Sequence, residues 1–126
     1  MHYHTRKIVK PGDLNPNETL FGGRLLEWID EEAALYAVIQ LESKRVVTKF
    51  MSEINFVSSA IQGDIVEIGM EIVKFGRASL ILKCEVRNIL THKTIIKVEN
   101  ITMVTLNEKG KPTAHGKTKI DLPRVD

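Results

Sequence analysis

From Arg24 to about Leu41 the chain runs without a glycine or proline and is dominated by leucine, glutamate and alanine. Nowhere else is there a comparable stretch, so the sequence predicts one helix of about five turns and no second one of that length. Four runs rich in β-branched and apolar residues follow, Arg45 to Ser58, Asp64 to Phe75, Arg77 to Leu90 and Thr94 to Asn107, and these read as long strands. Leu80, Leu82, Cys84 and Val86 alternate with Lys83, Glu85 and Arg87, the pattern of an antiparallel sheet with one buried face. Short connections at Gly76 and Thr91-His92-Lys93 suit hairpins between neighbours. With a shorter strand at about His4 to Val9 ahead of the helix, the expected class is α+β, a meander of strands curved around one helix.

The helix predicts its own surroundings. Leu25, Leu26, Trp28, Ile29, Ala33, Ala34, Leu35, Tyr36, Ala37 and Ile39 leave only Arg24, Glu27 and Glu31 as an evident polar stripe. A single sheet covers one side of a helix, so a second subunit is expected to cover more of this one. At 126 residues and 43% hydrophobic composition the chain suits a single domain over 1–126, with a polar tail from about residue 111 to 126. Eighteen Lys and Arg against 16 Asp and Glu give too small and too dispersed an excess for a nucleic-acid surface. No apolar window approaches the roughly 18 residues of a spanning helix, and Met1 to Arg6 has no apolar core behind its charge. Cys84 is the sole cysteine, which excludes a disulfide framework and suits a small core residue in a reducing compartment, so a cytoplasmic location is expected. No metal is expected: His2 and His4 read as an exposed pair, and His92 and His115 fall in a turn and in the tail.

Two features carry chemistry. Asp30 has Gly23, Leu26, Glu27, Ala33, Ala34 and Ala37 as its helical neighbours, a mainly small and apolar face on which a carboxylate is costly unless it is paired or used. The bland alternative is a solvent-facing or helix-to-sheet hydrogen-bonding Asp30. Glu32 is a rival, with Trp28, Ile29, Leu35 and Tyr36 around it, and its longer stem is expected to carry its carboxylate to the surface. Upstream, the polar loop from Asp13 ends in Gly22-Gly23 at the helix start, where unbonded N–H groups can hold a developing oxyanion. A tight entry turn alone would also explain the glycine pair.

The segment Asn15-x-x-x-x-Leu20-Phe21-Gly22-Gly23-x-Leu25-Leu26-x-x-Ile29-Asp30-Glu31-x-Ala33 resembles the hotdog-fold acyl-CoA thioesterases of the cytosolic and brain acyl-CoA hydrolase type, including their YciA-like bacterial branch. The likeness continues through Arg45-Val46-Val47-Thr48, Asn55-Phe56, Gly63-Asp64, Gly76-Arg77-Ala78-Ser79 and Gly110-Lys111-Pro112. It implies a long central helix wrapped by a curved antiparallel sheet, and double-hotdog dimers that often build trimers of dimers. It implies hydrolysis of acyl-CoA to a carboxylic acid and CoA, with Asn15 from one subunit and Asp30 from the other, and with a carbonyl-polarising amide at or beside Gly23. Substrate and CoA contacts are implied at Gly22, Phe56, Ser58, Gly76, Arg77 and Ser79, with Arg77 as the phosphate partner. The partners are then acyl-CoA or CoA and further copies of the chain, and no separate cofactor is expected. The chain departs from the pattern at Glu18, where relatives commonly carry glycine, and at Pro16.

Asp30 is then a general base on water, or else a direct nucleophile forming an anhydride. A dehydratase of the same fold would look for a histidine near the helix start, and there is none between Thr5 and Leu90. The competing readings are a non-catalytic acyl-CoA-binding sensor and an oligomeric binding module. Trp28, Met51, Phe56 and Met70 are expected mostly in the core.

Overall fold

A computed structural model of the chain describes residues 1–119. The elements run β1 (His2–Ile8), a single 3₁₀ turn (Pro11–Asp13), α1 (Gly22–Leu41), β2 (Val46–Phe56), β3 (Ile65–Phe75), β4 (Ser79–Asn88) and β5 (Thr94–Thr105). The strands form one antiparallel sheet in the order β1-β3-β4-β5-β2, and α1 packs against β2, β3, β4 and β5. This is the hotdog arrangement, one helix against one sheet.

The expected hairpins join β3 to β4 and β4 to β5. Gly76 N–H donates to Ser79 O at 2.9 Å in the first, and Asn88 Oδ1 accepts from Leu90 and Thr91 N–H in the second. The meander stops there, because β2 does not pair with β3 but lies at the far edge against β5, with Phe56 opposite Ile96. Residues 57–64 therefore cross from one edge strand towards β3 at the other side of the sheet. That crossing is fixed by backbone bonds: Val57 N–H to Ile95 O, Leu20 N–H to Ala60 O, and Gly63 N–H to Val9 O. Gly63 sits at φ +90, a left-handed conformation that glycine adopts without strain.

Helix α1 begins two residues before Arg24, with both glycines in its first turn, and ends on Glu42 at φ 51. Its inward face carries Leu25, Ile29, Ala33, Tyr36, Ala37 and Leu41 onto Ile68, Met70, Leu80, Leu82, Ile96, Ile101 and Met103, all buried. Each such aliphatic side chain contributes about 1.5–3 kcal/mol by leaving water. Met70 is core, Trp28 and Met51 pack at its margin, and Phe56 is exposed. Leu35 and Ile39 are also left about half exposed, so one chain does not give α1 the broad cover its sequence predicts.

Glu32 corrects an expectation. It is buried, at 6% exposure, and accepts a short hydrogen bond from Thr5 Oγ1 on β1. Position 32 lies near the middle of the inward stripe, flanked by Ile29, Ala33 and Tyr36, so the stem has no route to the surface. Cys84, on the inward face of β4, has its thiol pushed up to about 12 by burial first and by Glu32 and Glu85 next. We expect no reaction of Cys84 with a disulfide thiol reagent at neutral pH until the chain is denatured, when one thiol per chain should appear.

The tail expected from about residue 111 begins as a built element. Leu106 bridges to Pro112, Thr113 N–H donates to Thr105 O, and His115 N–H donates to Arg77 O. Residues 120–126 of that tail lie outside the described residues.

Candidate active site

Between β1 and α1 the loop is held by its own side chains. Buried Asp13 accepts from Lys10 N–H at 2.9 Å and pairs with Arg24 at 3.2 Å, while its carbonyl accepts from Phe21 N–H. Asn15 makes an Asx turn: Oδ1 accepts from Asn17 and Thr19 N–H at 2.9 and 3.1 Å, and Nδ2 donates to Thr19 Oγ1 at 2.9 Å. One Nδ2 proton remains for a ligand. Pro16 is accommodated inside this turn, and Glu18 sits at φ 61, where a glycine carries no Cβ penalty. Glu18→Gly should raise unfolding free energy by up to about 1 kcal/mol, read from the urea midpoint, without moving Asn15.

Asn15, Gly22, Leu25, Phe56, Ser58 and Ile95 line a cavity of about 320 Å³. Four of the expected site residues, Asn15, Gly22, Phe56 and Ser58, thus meet at the start of α1. Gly22 packs closely on Phe56, since a Cβ there would lie 3.2 Å from the ring. Phe21 caps the helix without a side-chain hydrogen bond, and no hydrogen bond uses the Gly22 or Gly23 N–H among the described residues. Gly23 does not line the cavity but adjoins it in the same turn. Ser58 Oγ donates to Thr94 O at 2.6 Å, which ties it to the sheet.

The remaining expected residues lie elsewhere. Asp30 is exposed in the single chain, contrary to the half-buried placement its neighbours suggest, because it sits at the margin of the inward stripe facing the edge strand β2. Thr48 Oγ1 of β2 donates to Asp30 Oδ1 at 2.6 Å. Thr48 was contained in the resembling segment without a role, and nothing local in the sequence links it to Asp30. Thr48 pairs with Met103 and Met103 with Leu80, so this carboxylate lies at the same end of the sheet as the Gly76 to Ser79 turn. Arg77 is exposed with no acidic partner among the described residues, and a Cβ at Gly76 would meet Ser79 Oγ at 2.1 Å, so a side chain there would have to turn that hydroxyl away.

The two groups are far apart within one chain. From Thr48 to Phe56 is eight strand residues, about 26 Å along β2. Along α1, Asp30 is about 10 Å beyond Gly23. Between them β2 offers an open edge with exposed Val47, Phe50, Ile54 and Phe56. Among the described residues no group of three or more His, Cys, Asp or Glu is placed to hold a metal ion, and no helix is long and apolar enough to cross a membrane.

The family model of the thioesterase superfamily matches residues 17–93. An uncharacterized acyl-CoA thioester hydrolase of Haemophilus influenzae is 33% identical over 81 residues, covering 64% of this chain and 52% of that protein. The match therefore spans about half the length of that relative. A hexameric acyl-CoA thioesterase, solved in apo form, superposes with a TM-score of 0.80 at 33% identity, over 97% of this chain and 78% of that one. An acyl-CoA hydrolase of Staphylococcus aureus, solved with butyryl coenzyme A, coenzyme A and coenzyme A disulfide, superposes with a TM-score of 0.80 at 28% identity, over 97% and 71%. That hydrolase has also been solved as single variants in which an asparagine, an aspartate or a threonine is replaced by alanine.

Proposed function

The chain belongs to the thioesterase superfamily, and from that premise we propose that it hydrolyses acyl-CoA to a carboxylic acid and CoA in a site assembled from two copies of itself. The carrying observation is the split just described: Asn15, the unbonded helix N–H groups and the cavity at one end of β2, Asp30 and Thr48 at the other. Antiparallel pairing of two β2 edges about a two-fold axis sets the Thr48 end of one strand beside the Phe56 end of the other. It would bury Phe50, Ile54 and Phe56 and place Asp30 of one chain against the cavity of its partner. The positions replaced by alanine in the S. aureus hydrolase match the spacing of the three residues proposed here. Its replaced asparagine and aspartate are fifteen positions apart, as Asn15 and Asp30 are, and its threonine follows at nearly the spacing of Thr48.

In the proposed reaction the Gly22 and Gly23 N–H groups, at the positive end of α1, take the thioester oxygen as negative charge develops on it. Asp30 accepts a proton from water, which attacks the carbonyl carbon; the C–S bond breaks and the proton passes to the leaving thiolate. Thr48 Oγ1–H occupies Oδ1 of Asp30 and leaves Oδ2 for water, while the remaining Asn15 Nδ2 proton orients water or substrate. Direct attack by Asp30 forms an anhydride instead. A single turnover in H₂¹⁸O separates the two, since only direct attack puts an unlabelled Asp30 oxygen into the first acid released. Arg77 and the Gly76 to Ser79 turn are proposed to meet the CoA phosphates. No cofactor is needed, CoA entering as part of the substrate. A dimer is the minimum unit and a trimer of dimers the proposed assembly, in the cytoplasm.

The test is thiol release from acyl-CoAs of several chain lengths, in which Cys84 stays silent. Thiol release supports the reading; CoA binding without any release would favour the sensor. Thr48→Val should lower turnover by roughly tenfold or more with KM little changed, because it removes a hydrogen bond to a charged group.

A further inference from the structure

Thr19 turns all three of its polar groups to Asn15. Its N–H donates to Asn15 Oδ1 at 3.1 Å, its carbonyl accepts from Asn15 N–H at 2.8 Å, and its hydroxyl accepts from Asn15 Nδ2 at 2.9 Å. The loop does not need the last of these to close. Glu18 N–H to Asn15 O at 2.9 Å, Asn17 N–H to Asn15 Oδ1 and the bridge between Leu14 and Leu20 already hold the chain in its turn. Both residues are only half-buried, so water can satisfy Nδ2 in place of the hydroxyl at little cost. What the hydroxyl adds is direction. Oδ1 is held by two N–H donors and one Nδ2 proton is held by Thr19, so neither a flip nor a twist of the planar amide is open and the second proton points one way. Asn15 and Thr19 both line the cavity at the start of α1.

We propose that Thr19 is a positioning residue of the hydrolysis, holding the Asn15 amide so that its second Nδ2 proton is presented to the attacking water. The inference rests on the two-copy hydrolase reading and adds to it a residue that touches Asn15 and not the reacting atoms. Thr48 has the corresponding place beside Asp30, where its hydroxyl takes one carboxylate oxygen and leaves the other. Each of the two side chains proposed to act on water is thus held by a threonine hydroxyl, which donates to the carboxylate and accepts from the amide. A donor aimed at the water oxygen, with Asp30 of the other copy on one water proton, leaves a lone pair directed at the carbonyl carbon. Acyl-CoA itself is held by other groups, so a loosened Asn15 acts on kcat and not on KM.

The test is acyl-CoA hydrolysis by Thr19→Val, which keeps the size of the side chain and both backbone bonds and removes only the hydroxyl. Its kcat should fall about tenfold with KM within about twofold of wild type, and its urea midpoint should stay near that of wild type. Thr19→Ser restores the acceptor and should retain most of the wild-type kcat. Added to Asn15→Ala, whose residual turnover is read at high enzyme concentration, Thr19→Val should cost nothing further, since a residue that acts through Asn15 has nothing left to hold. Wild-type kcat in Thr19→Val, a loss as large in Thr19→Ser, or losses that multiply in the double variant would each overturn the proposal. Multiplying losses would mean that Thr19 shapes the loop independently of the Asn15 amide. Wild type that releases no thiol would overturn the hydrolase reading and this one together, whereas active wild type with an unimpaired Thr19→Val overturns this one alone.

Discussion

Replacing Asp30 by asparagine is expected to lower the rate of thiol release from acyl-CoA by about 10²–10⁴-fold, the usual contribution of a positioned general base. The variant keeps the shape of the side chain and a partner for Thr48 Oγ1, so its oligomer and its CoA affinity should match those of wild type. Asp30 is exposed in the isolated chain and touches nothing in the core, which makes loss of fold an unsuitable explanation for lost turnover. Near-normal turnover in Asp30→Asn, with thiol release measured under saturating substrate, would remove Asp30 from the chemistry altogether.

The largest effect on stability should come from Thr5→Val. Glu32 is buried near the middle of the inward helix stripe, and the Thr5 hydroxyl is its one hydrogen-bond donor among the described residues. Valine has the size of threonine but no donor, so the carboxylate is left without a partner at a cost of about 1–3 kcal/mol. Urea unfolding should show this as a lower midpoint with unchanged slope. Adding Glu32→Leu to Thr5→Val should recover most of the loss, because removing both partners leaves no orphan group. A double variant less stable than Thr5→Val alone would mean that the packing of Glu32, and not its hydrogen bond, holds α1 to β1.

What the sequence disclosed followed from local periodicity. The helix and five strands were each legible because α1 combines helix formers with no breaker and β4 alternates strictly between Leu80 and Arg87. The place of β2 was not legible: its apolar run looks like that of β3, and only long-range pairing with β5 puts it on an edge. Asp30 and Glu32 were misordered for burial for a related reason. Helical neighbours give the company a residue keeps on its own helix, but not which flank meets the sheet, and here β1 closes over Glu32 while Asp30 faces the open edge at β2. The Asn15 loop was more legible, since an Asx turn needs only the side chain and the next few N–H groups. Thr48 stayed hidden because its contact with Asp30 is wholly tertiary.

A shared site is best tested with two inactive chains. Asn15→Ala and Asp30→Ala, each purified, denatured together in equal amounts and refolded, should give a mixture in which half the dimers contain one chain of each kind. Each mixed dimer then holds one intact pair of Asn15 and Asp30 and one doubly defective pair, so about a quarter of wild-type thiol release should return. Activity no greater than the mean of the two variants refolded separately would place both residues in a site within one chain, and the two-copy account would be wrong.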